Sequence, residues 1–216
     1  MGLFYFPSNF VYWQKVKDHD IMKIKLLAEI EKTCHKPESN HDYRDPDMFN
    51  TTTNYWKNGV KEFLTDQTMI KNIVWDPLDR AINELNSGRN TPKIDFNNSR
   101  LLSSWYTYYK AGGVFDYHIH LDNEGTIIDN KLYVCSFSLI YILKDENSEN
   151  ATTFLEPTNN RISTMSNIQN YFNTSDIDDI KEGCVIIFPS SLYHKVKPVK
   201  IPGRITIALN VISRVD

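Results

Sequence analysis

Three histidines, an aspartate and an arginine in the second half of the chain have the types and spacing for metal and carboxylate chemistry. His118-Ile119-His120-Leu121-Asp122 comes first, His194 follows 72 residues after Asp122, and Arg204 lies ten residues beyond His194. These segments hold three of the chain's six histidines. Two imidazoles and a carboxylate on one side of a divalent metal leave its other positions open, the arrangement suited to oxygen chemistry at Fe(II). The later arginine is the group a dicarboxylate co-substrate would need. His118, His120 and Asp122 alternate, so an extended backbone turns all three to one face.

Such residues must be presented by strand ends. From about Leu101 the chain breaks into short apolar runs between polar loops, and strands are predicted at 103–110, 133–144, 152–155, 184–188 and 204–213. In the last, Ile205, Ile207, Leu209 and Val211 share one face, and Arg204, Thr206, Ala208 and Asn210 share the other. Alone, that alternation reads as a half-exposed strand. Small and polar residues around one arginine also suit the lining of a barrel cavity. Gly183 opens an apolar run that Pro189-Ser190-Ser191 breaks just before His194, which places His194 at a strand end or loop. Residues 134–143 are apolar on both faces, as in an inner strand of two packed sheets. Many strands without interleaved helices argue for a sandwich or barrel. Trp105, Tyr106 and Tyr108 read as core first, and as pocket lining second.

The first hundred residues are mixed and partly helical. One or two short strands are expected within 4–16. A helix is predicted over 18–36, with Asp18 as cap and Ile21, Ile24, Leu27, Ala28 and Ile30 as its inward stripe. Residues 37–54 read as loop, and 55–70 are ambiguous. Asp76-Pro77 then opens a helix with Leu78, Ile82 and Leu85 facing inward, ended by Asn86-Ser87-Gly88. A weak helical period runs through 163–180. The expectation is one domain over 1–216, with 1–100 as a helical support and 101–216 as the β core. The fold class is mainly β with N-terminal helices (α+β).

Composition narrows the function classes. The 41% hydrophobic content supports a sizeable core in 216 residues. The net charge is −3 with Lys and Arg scattered, so neither a nucleic-acid nor an anionic-membrane surface is expected. No apolar run reaches the roughly 18 residues of a membrane span. The N-terminus has no basic segment followed by an apolar one, so no signal peptide is expected, and Phe6 stands where myristoylation wants Ser or Thr. Cys34, Cys135 and Cys184 are odd in number and far apart, which suits reduced thiols and a cytoplasmic setting, a host cytoplasm if the chain is phage-encoded. Cys135 and Cys184 fall in apolar strands and read as core.

Several stretches together carry a family resemblance. Tyr109-Lys110-Ala111-Gly112 precedes the first histidine, Ser136 to Leu143 follows it, and FPSSLYHKVKPV and RITIALN close the chain. In these the chain resembles the 2-oxoglutarate/Fe(II)-dependent oxygenase superfamily, and within it a prolyl-hydroxylase-like subgroup of phage and bacterial members. The resemblance covers roughly 101–212. It implies a double-stranded β-helix, of jelly-roll or cupin-like type. It also implies Fe(II) as metal, 2-oxoglutarate and O2 as co-substrates, and hydroxylation of an amino-acid, peptidyl or small-metabolite C–H bond. By the same resemblance His194 is the distal metal ligand, Arg204 pairs with the far carboxylate of 2-oxoglutarate and Tyr109 contacts that co-substrate. Asn210 matches a family asparagine at the end of the last strand. The usual first metal motif is a single His-x-Asp or His-x-Glu, and here two frames overlap. The favoured ligand set is His120, Asp122 and His194; the other frame uses His118-x-His120, and Fe(II) accepts both chemistries. Two other classes remain at this point: a cupin-like metal protein acting without 2-oxoglutarate, and a non-catalytic β-barrel binding module.

Overall fold

The computed structural model describes residues 9–34, 48–55, 62–87, 98–120, 125–145, 151–155 and 171–215. Asp122, residues 4–8 and residues 163–170 lie outside these; in the described part of the weak helical period over 163–180, Tyr171–Asn173 is a strand and Thr174–Asp176 a single 3-10 turn. In chain order the elements are β1 (Tyr12–Lys15), α1 (His19–Cys34), β2 (Met48–Thr53), α2 (Gln67–Ile70), a π-helical stretch (Lys71–Trp75), α3 (Asp76–Asn86), β3 (Ser99–His118), β4 (Thr126–Ile128), β5 (Lys131–Lys144), β6 (Thr152–Leu155), β7 (Tyr171–Asn173), β8 (Cys184–Pro189), β9 (His194–Val196) and β10 (Arg204–Arg214).

The strands form one curled antiparallel sheet in the order β1-β8-β5-β10-β3-β9-β6-β7, with β2 added on β3 and β4 on β5. This is a double-stranded β-helix, and β3 is the strand common to its two halves. The first half of β3 pairs with β10, and its second half pairs with β9. Between the halves lies Gly112, at φ +73, and then Gly113, where an added Cβ would sit 2.8 Å from the Lys110 carbonyl and 2.9 Å from that of Asn50. Only glycine accepts that pair of constraints, so the turn between the sheet halves is written into the sequence.

Period-two alternation then sorts side chains between two cores. Ile205, Ile207, Leu209 and Val211 of β10, with Leu139, Tyr141 and Leu143 of β5, pack outward against Met22, Leu26 and Ile30 of α1 and against Ile73, Val74, Leu78 and Ile82. Ile140 and Ile142 of β5 face the other way, into a second core with Phe154, Ile186 and Phe188. Each such side chain contributes about 1.5–3 kcal/mol on burial. Both faces of β10 are therefore covered, and Arg204, Thr206, Ala208 and Asn210 are all buried. The half-exposed reading of that strand fails because its polar face lines the barrel interior, not solvent.

Four other expectations change. The buried stripe of α1 is Met22, Leu26 and Ile30, while Ile21 and Ile24 are 62% and 72% exposed and Ala28 is exposed. Two apolar registers compete in that helix, and the i, i+4 register that also buries His19 wins. Asp18 precedes α1 at φ 56, not in the extended backbone of a capping residue. Residues 48–53, read as loop, form β2 against β3, since the β-branched threonines 51–53 suit an added strand. The helix read as opening at Asp76 is already running from Gln67. Its cap is Asp66, whose carboxylate accepts from Thr68 N at 2.8 Å and Met69 N at 3.1 Å. The π-helical stretch then widens the turn, with the Asp76 N–H donating to Lys71 O, just before Pro77, which has no N–H to donate.

Candidate metal centre and active site

His118 is the last residue of β3 and stands opposite His194, the first residue of β9. Two residues on, His120 is pinned by its own N–H, which donates to the Ser190 carbonyl at 2.9 Å. The three rings converge, with centroids 5.1 Å apart for His118 and His120, 4.2 Å for His118 and His194, and 4.9 Å for His120 and His194. One nitrogen from each lies within 4.8 Å of the others, the group among the described residues suited to hold a metal.

The hydrogen bonds fix the tautomers. His118 Nδ1 donates to the Asp116 carbonyl at 2.7 Å, His194 Nδ1 to the Leu192 carbonyl at 2.9 Å, and His120 Nδ1 to Asn210 Oδ1 at 2.8 Å. In the neutral rings each Nε2 is thereby left with a lone pair. His120 Nε2 and His194 Nε2 face each other at 3.2 Å. Two unprotonated nitrogens repel at that distance, whereas a shared cation attracts both. Nitrogens on adjacent positions of one metal, with bonds of about 2.1 Å, are about 3 Å apart. The donor set fits a divalent metal. Burial, reinforced by the neighbouring His118 and His120, holds His194 well below the usual imidazole range, so it presents a neutral nitrogen.

Aromatic rings enclose the cluster. Phe115 stacks on His118 at 3.7 Å, Trp105 on His120 at 5.6 Å, and Phe154 and Phe188 pack against His194 at 5.7 and 4.6 Å. Tyr55 leans on Trp105 at 4.7 Å. A low-dielectric wall of this kind strengthens every electrostatic contact inside it.

Below the histidines, sheet register arranges the interior in rows. Ser103, Asn210 and Ser138 lie side by side; next come Trp105, Ala208 and Ile140, then Thr107, Thr206 and Ile142, and finally Tyr109 beside Arg204. In the first row Asn210 Oδ1 accepts from His120 and also from Ser138 Oγ at 2.9 Å, and Ser138 meets Ser190 at 2.9 Å. Two atoms of that row, Ser103 Oγ and Asn210 Nδ2, are buried with no hydrogen-bond partner among the described residues. At the other end the Arg204 guanidinium is fully buried. It lies 6.0 Å from the Tyr109 ring, 3.4 Å from Thr152 Oγ1 and 3.5 Å from the Asp145 carboxylate. Burial pushes the Tyr109 phenol up, against the opposing Arg204 charge and a hydrogen bond with Thr206, so it stays protonated.

The structure thus brings together His118, His120, His194 and Asn210 at one end of the rows, and Arg204 and Tyr109 at the other. Asp122 lies outside the described residues. Ser138 and Ser190 escaped sequence reasoning although strand alternation places Ser138 on the Asn210 face. Trp105, read as core, is both core and site wall. Nothing in the sequence singles out Asp145, which acquires its role only by following directly on β5 beside the start of β10.

Residues 103–210, half of the chain, match the family model described as "Putative 2OG-Fe(II) oxygenase". Among solved structures the chain is similar to OsALKBH1, at 15% identity over 96% of this chain and 100% of that one, with a TM-score of 0.59. It is also similar to HygX from Streptomyces hygroscopicus with nickel and 2-oxoglutarate bound, at 14% identity over 94% and 83% and a TM-score of 0.54. A third is a Pseudomonas putida prolyl-4-hydroxylase, at 15% identity over 97% and 94% and a TM-score of 0.52. At these identities the likeness is one of fold. No curated protein matches the chain.

Proposed function

The chain belongs to the 2-oxoglutarate/Fe(II) oxygenases, and on that footing we propose that it hydroxylates a C–H bond of an amino-acid, peptidyl or small-metabolite substrate, with His118, His120 and His194 holding the iron and Arg204 receiving the far carboxylate of 2-oxoglutarate. The observation that carries this reading is the convergence of three imidazoles whose Nδ1 atoms each donate to an oxygen, with one ring nitrogen of each within 4.8 Å of the others. When bound, iron with 2-oxoglutarate and O2 supplies an oxidant strong enough for an unactivated C–H bond.

The chain's own residues bind and orient. Asn210 and the Asp116 and Leu192 carbonyls hold the imidazoles in the tautomer that offers Nε2. Arg204 offers a rigid cationic fork, which suits a carboxylate better than the point charge of a lysine would. The middle rows, Trp105-Ala208-Ile140 and Thr107-Thr206-Ile142, are apolar or small and suit the methylenes between two carboxylates. Trp105, Phe115, Phe154 and Phe188 keep water from the reacting centre. Ser103 Oγ and Asn210 Nδ2, buried and without a hydrogen-bond partner among the described residues, lie at the His120 end of the rows, away from Arg204. A carbonyl or carboxylate oxygen of the substrate would satisfy both, which favours amino-acid and peptidyl substrates.

Anaerobic addition of Fe(II) and 2-oxoglutarate should produce a weak visible charge-transfer band. Under O2 and ascorbate, succinate release should rise with one member of a panel of free amino acids and peptides. Arg204→Leu should weaken 2-oxoglutarate binding by about 2–4 kcal/mol, since a buried carboxylate loses its charged partner. A protein that shows neither the band nor succinate release is not the enzyme proposed.

A further inference from the structure

The Arg204 guanidinium is paired before any co-substrate arrives. Its Nη1 lies 3.5 Å from Asp145 Oδ2, and the two side chains are 0% and 3% exposed. Asp145 follows directly on β5, and its backbone N–H donates to Glu182 Oε2 at 2.9 Å, which fixes where the carboxylate sits. A wholly buried arginine without a counter-charge is strongly destabilising. Asp145 supplies that charge in the resting protein.

We propose that Asp145 is the resident counter-ion of Arg204, against which the far carboxylate of 2-oxoglutarate must compete, and that it thereby sets the co-substrate affinity of the enzyme. This rests on the reading of Arg204 given above. Two opposing effects decide the sign. Asp145 can orient the fork for the incoming carboxylate, or it can repel that carboxylate. A separation of 3.5 Å is well beyond the roughly 2.7–2.9 Å of a tight charge-assisted bond, so the orienting effect is weak. Two carboxylates sharing one guanidinium stand about 5 Å apart, and at an effective dielectric of about 20 their repulsion is worth more than a tenfold change in binding. Repulsion wins. Asp145 stabilises the free protein at the expense of dicarboxylate affinity. Asp145 touches no reacting atom and is a determinant of affinity and selectivity, not a catalytic residue.

The test uses the full chain loaded with Fe(II) under anaerobic conditions, titrated with 2-oxoglutarate and with 2-oxobutanoate, which keeps the keto acid and lacks the far carboxylate. Asp145→Asn should bind 2-oxoglutarate at least about tenfold more tightly than wild type, while its affinity for 2-oxobutanoate stays the same. Without ligand the variant should melt at a lower temperature, because Arg204 has lost its counter-ion. Asp145→Ser provides the same charge removal if the asparagine variant folds poorly. Unchanged or weaker 2-oxoglutarate binding in a folded variant overturns the proposal and leaves Asp145 an anchor for the fork. Equal gains for both ligands would also overturn it, since the effect would then not act through the far carboxylate. Failure of the underlying reading looks different: wild type and Arg204→Leu would bind 2-oxoglutarate equally well, whatever Asp145 does.

Discussion

At the scale of single residues, the choice between His118 and Asp122 decides the metal set. His120 belongs to both frames and, with His194, should be indispensable. With His118, His120 and His194 as ligands, His118→Ala should lose iron retention and turnover, and Asp122→Ala should keep a large fraction of both. If the carboxylate frame holds, the order reverses. Metal content after gel filtration, measured beside activity, separates the two. Asn210 acts one bond further out. Its Oδ1 holds the Nδ1 proton of His120 at 2.8 Å, with Ser138 donating to the same oxygen. Asn210→Ala should lower metal affinity by about 10–100-fold, the usual cost of losing such an orienting group, without unfolding the protein. A competition titration with a chelating dye reads this directly, and an unchanged affinity would reduce Asn210 to a packing residue.

At the scale of elements, α1 is tied to the barrel through Glu182, in the turn before β8. Glu182 accepts from Lys23 of α1 and from the Asp145 N–H, and lies 3.5 Å from His19 Nε2. His19 Nδ1 in turn meets the Tyr141 hydroxyl at 2.6 Å. Burial alone would push the Glu182 carboxyl up, but the bonds from Lys23, Asp145 and His19 outweigh it and hold the group below its ordinary value. A carboxylate whose pKa is lower in the folded than in the unfolded state stabilises above the unfolded value and loses that contribution as pH falls through the folded one. Glu182→Gln should therefore cost about 1–2 kcal/mol at neutral pH, through the lost charged hydrogen bonds. The gap to wild type should close in acid, as pH falls through the lowered folded-state value. Urea unfolding at the two pH values checks it, and a gap that persists in acid would mean the loss is one of packing.

At the scale of the whole molecule, β10 holds the two cores apart. Its odd-numbered residues fill the layer beneath the helices, and its even-numbered ones line the site. Leu209, 0% exposed, sits at the centre of the first layer. Leu209→Ala should cost about 2–5 kcal/mol in urea unfolding, by the transfer and cavity terms together. Because Ala208 and Asn210 are its chain neighbours, iron retention should weaken in parallel with stability. A variant with full metal affinity at that loss would show the layers to be uncoupled.

Much of this was legible in one dimension. The alternation in 204–211 and the residue types at His118, His120, His194 and Arg204 depend on local geometry, so sequence spacing determined which face each residue shares. The identity of strands β5, β6, β8 and β10 followed for the same reason. Tertiary structure decided the rest, because the outcomes depend on partners distant in the chain. Whether the polar face of β10 meets water or a cavity depends on β6 and β9 closing over it. Which of two apolar stripes α1 buries depends on the surface offered by β5 and β10. Residues 48–53 became a strand only because β3 left an edge to pair with. The ion pair of Asp145 with Arg204 joins residues 59 positions apart, through a meeting of β5 and β10 that no spacing rule encodes.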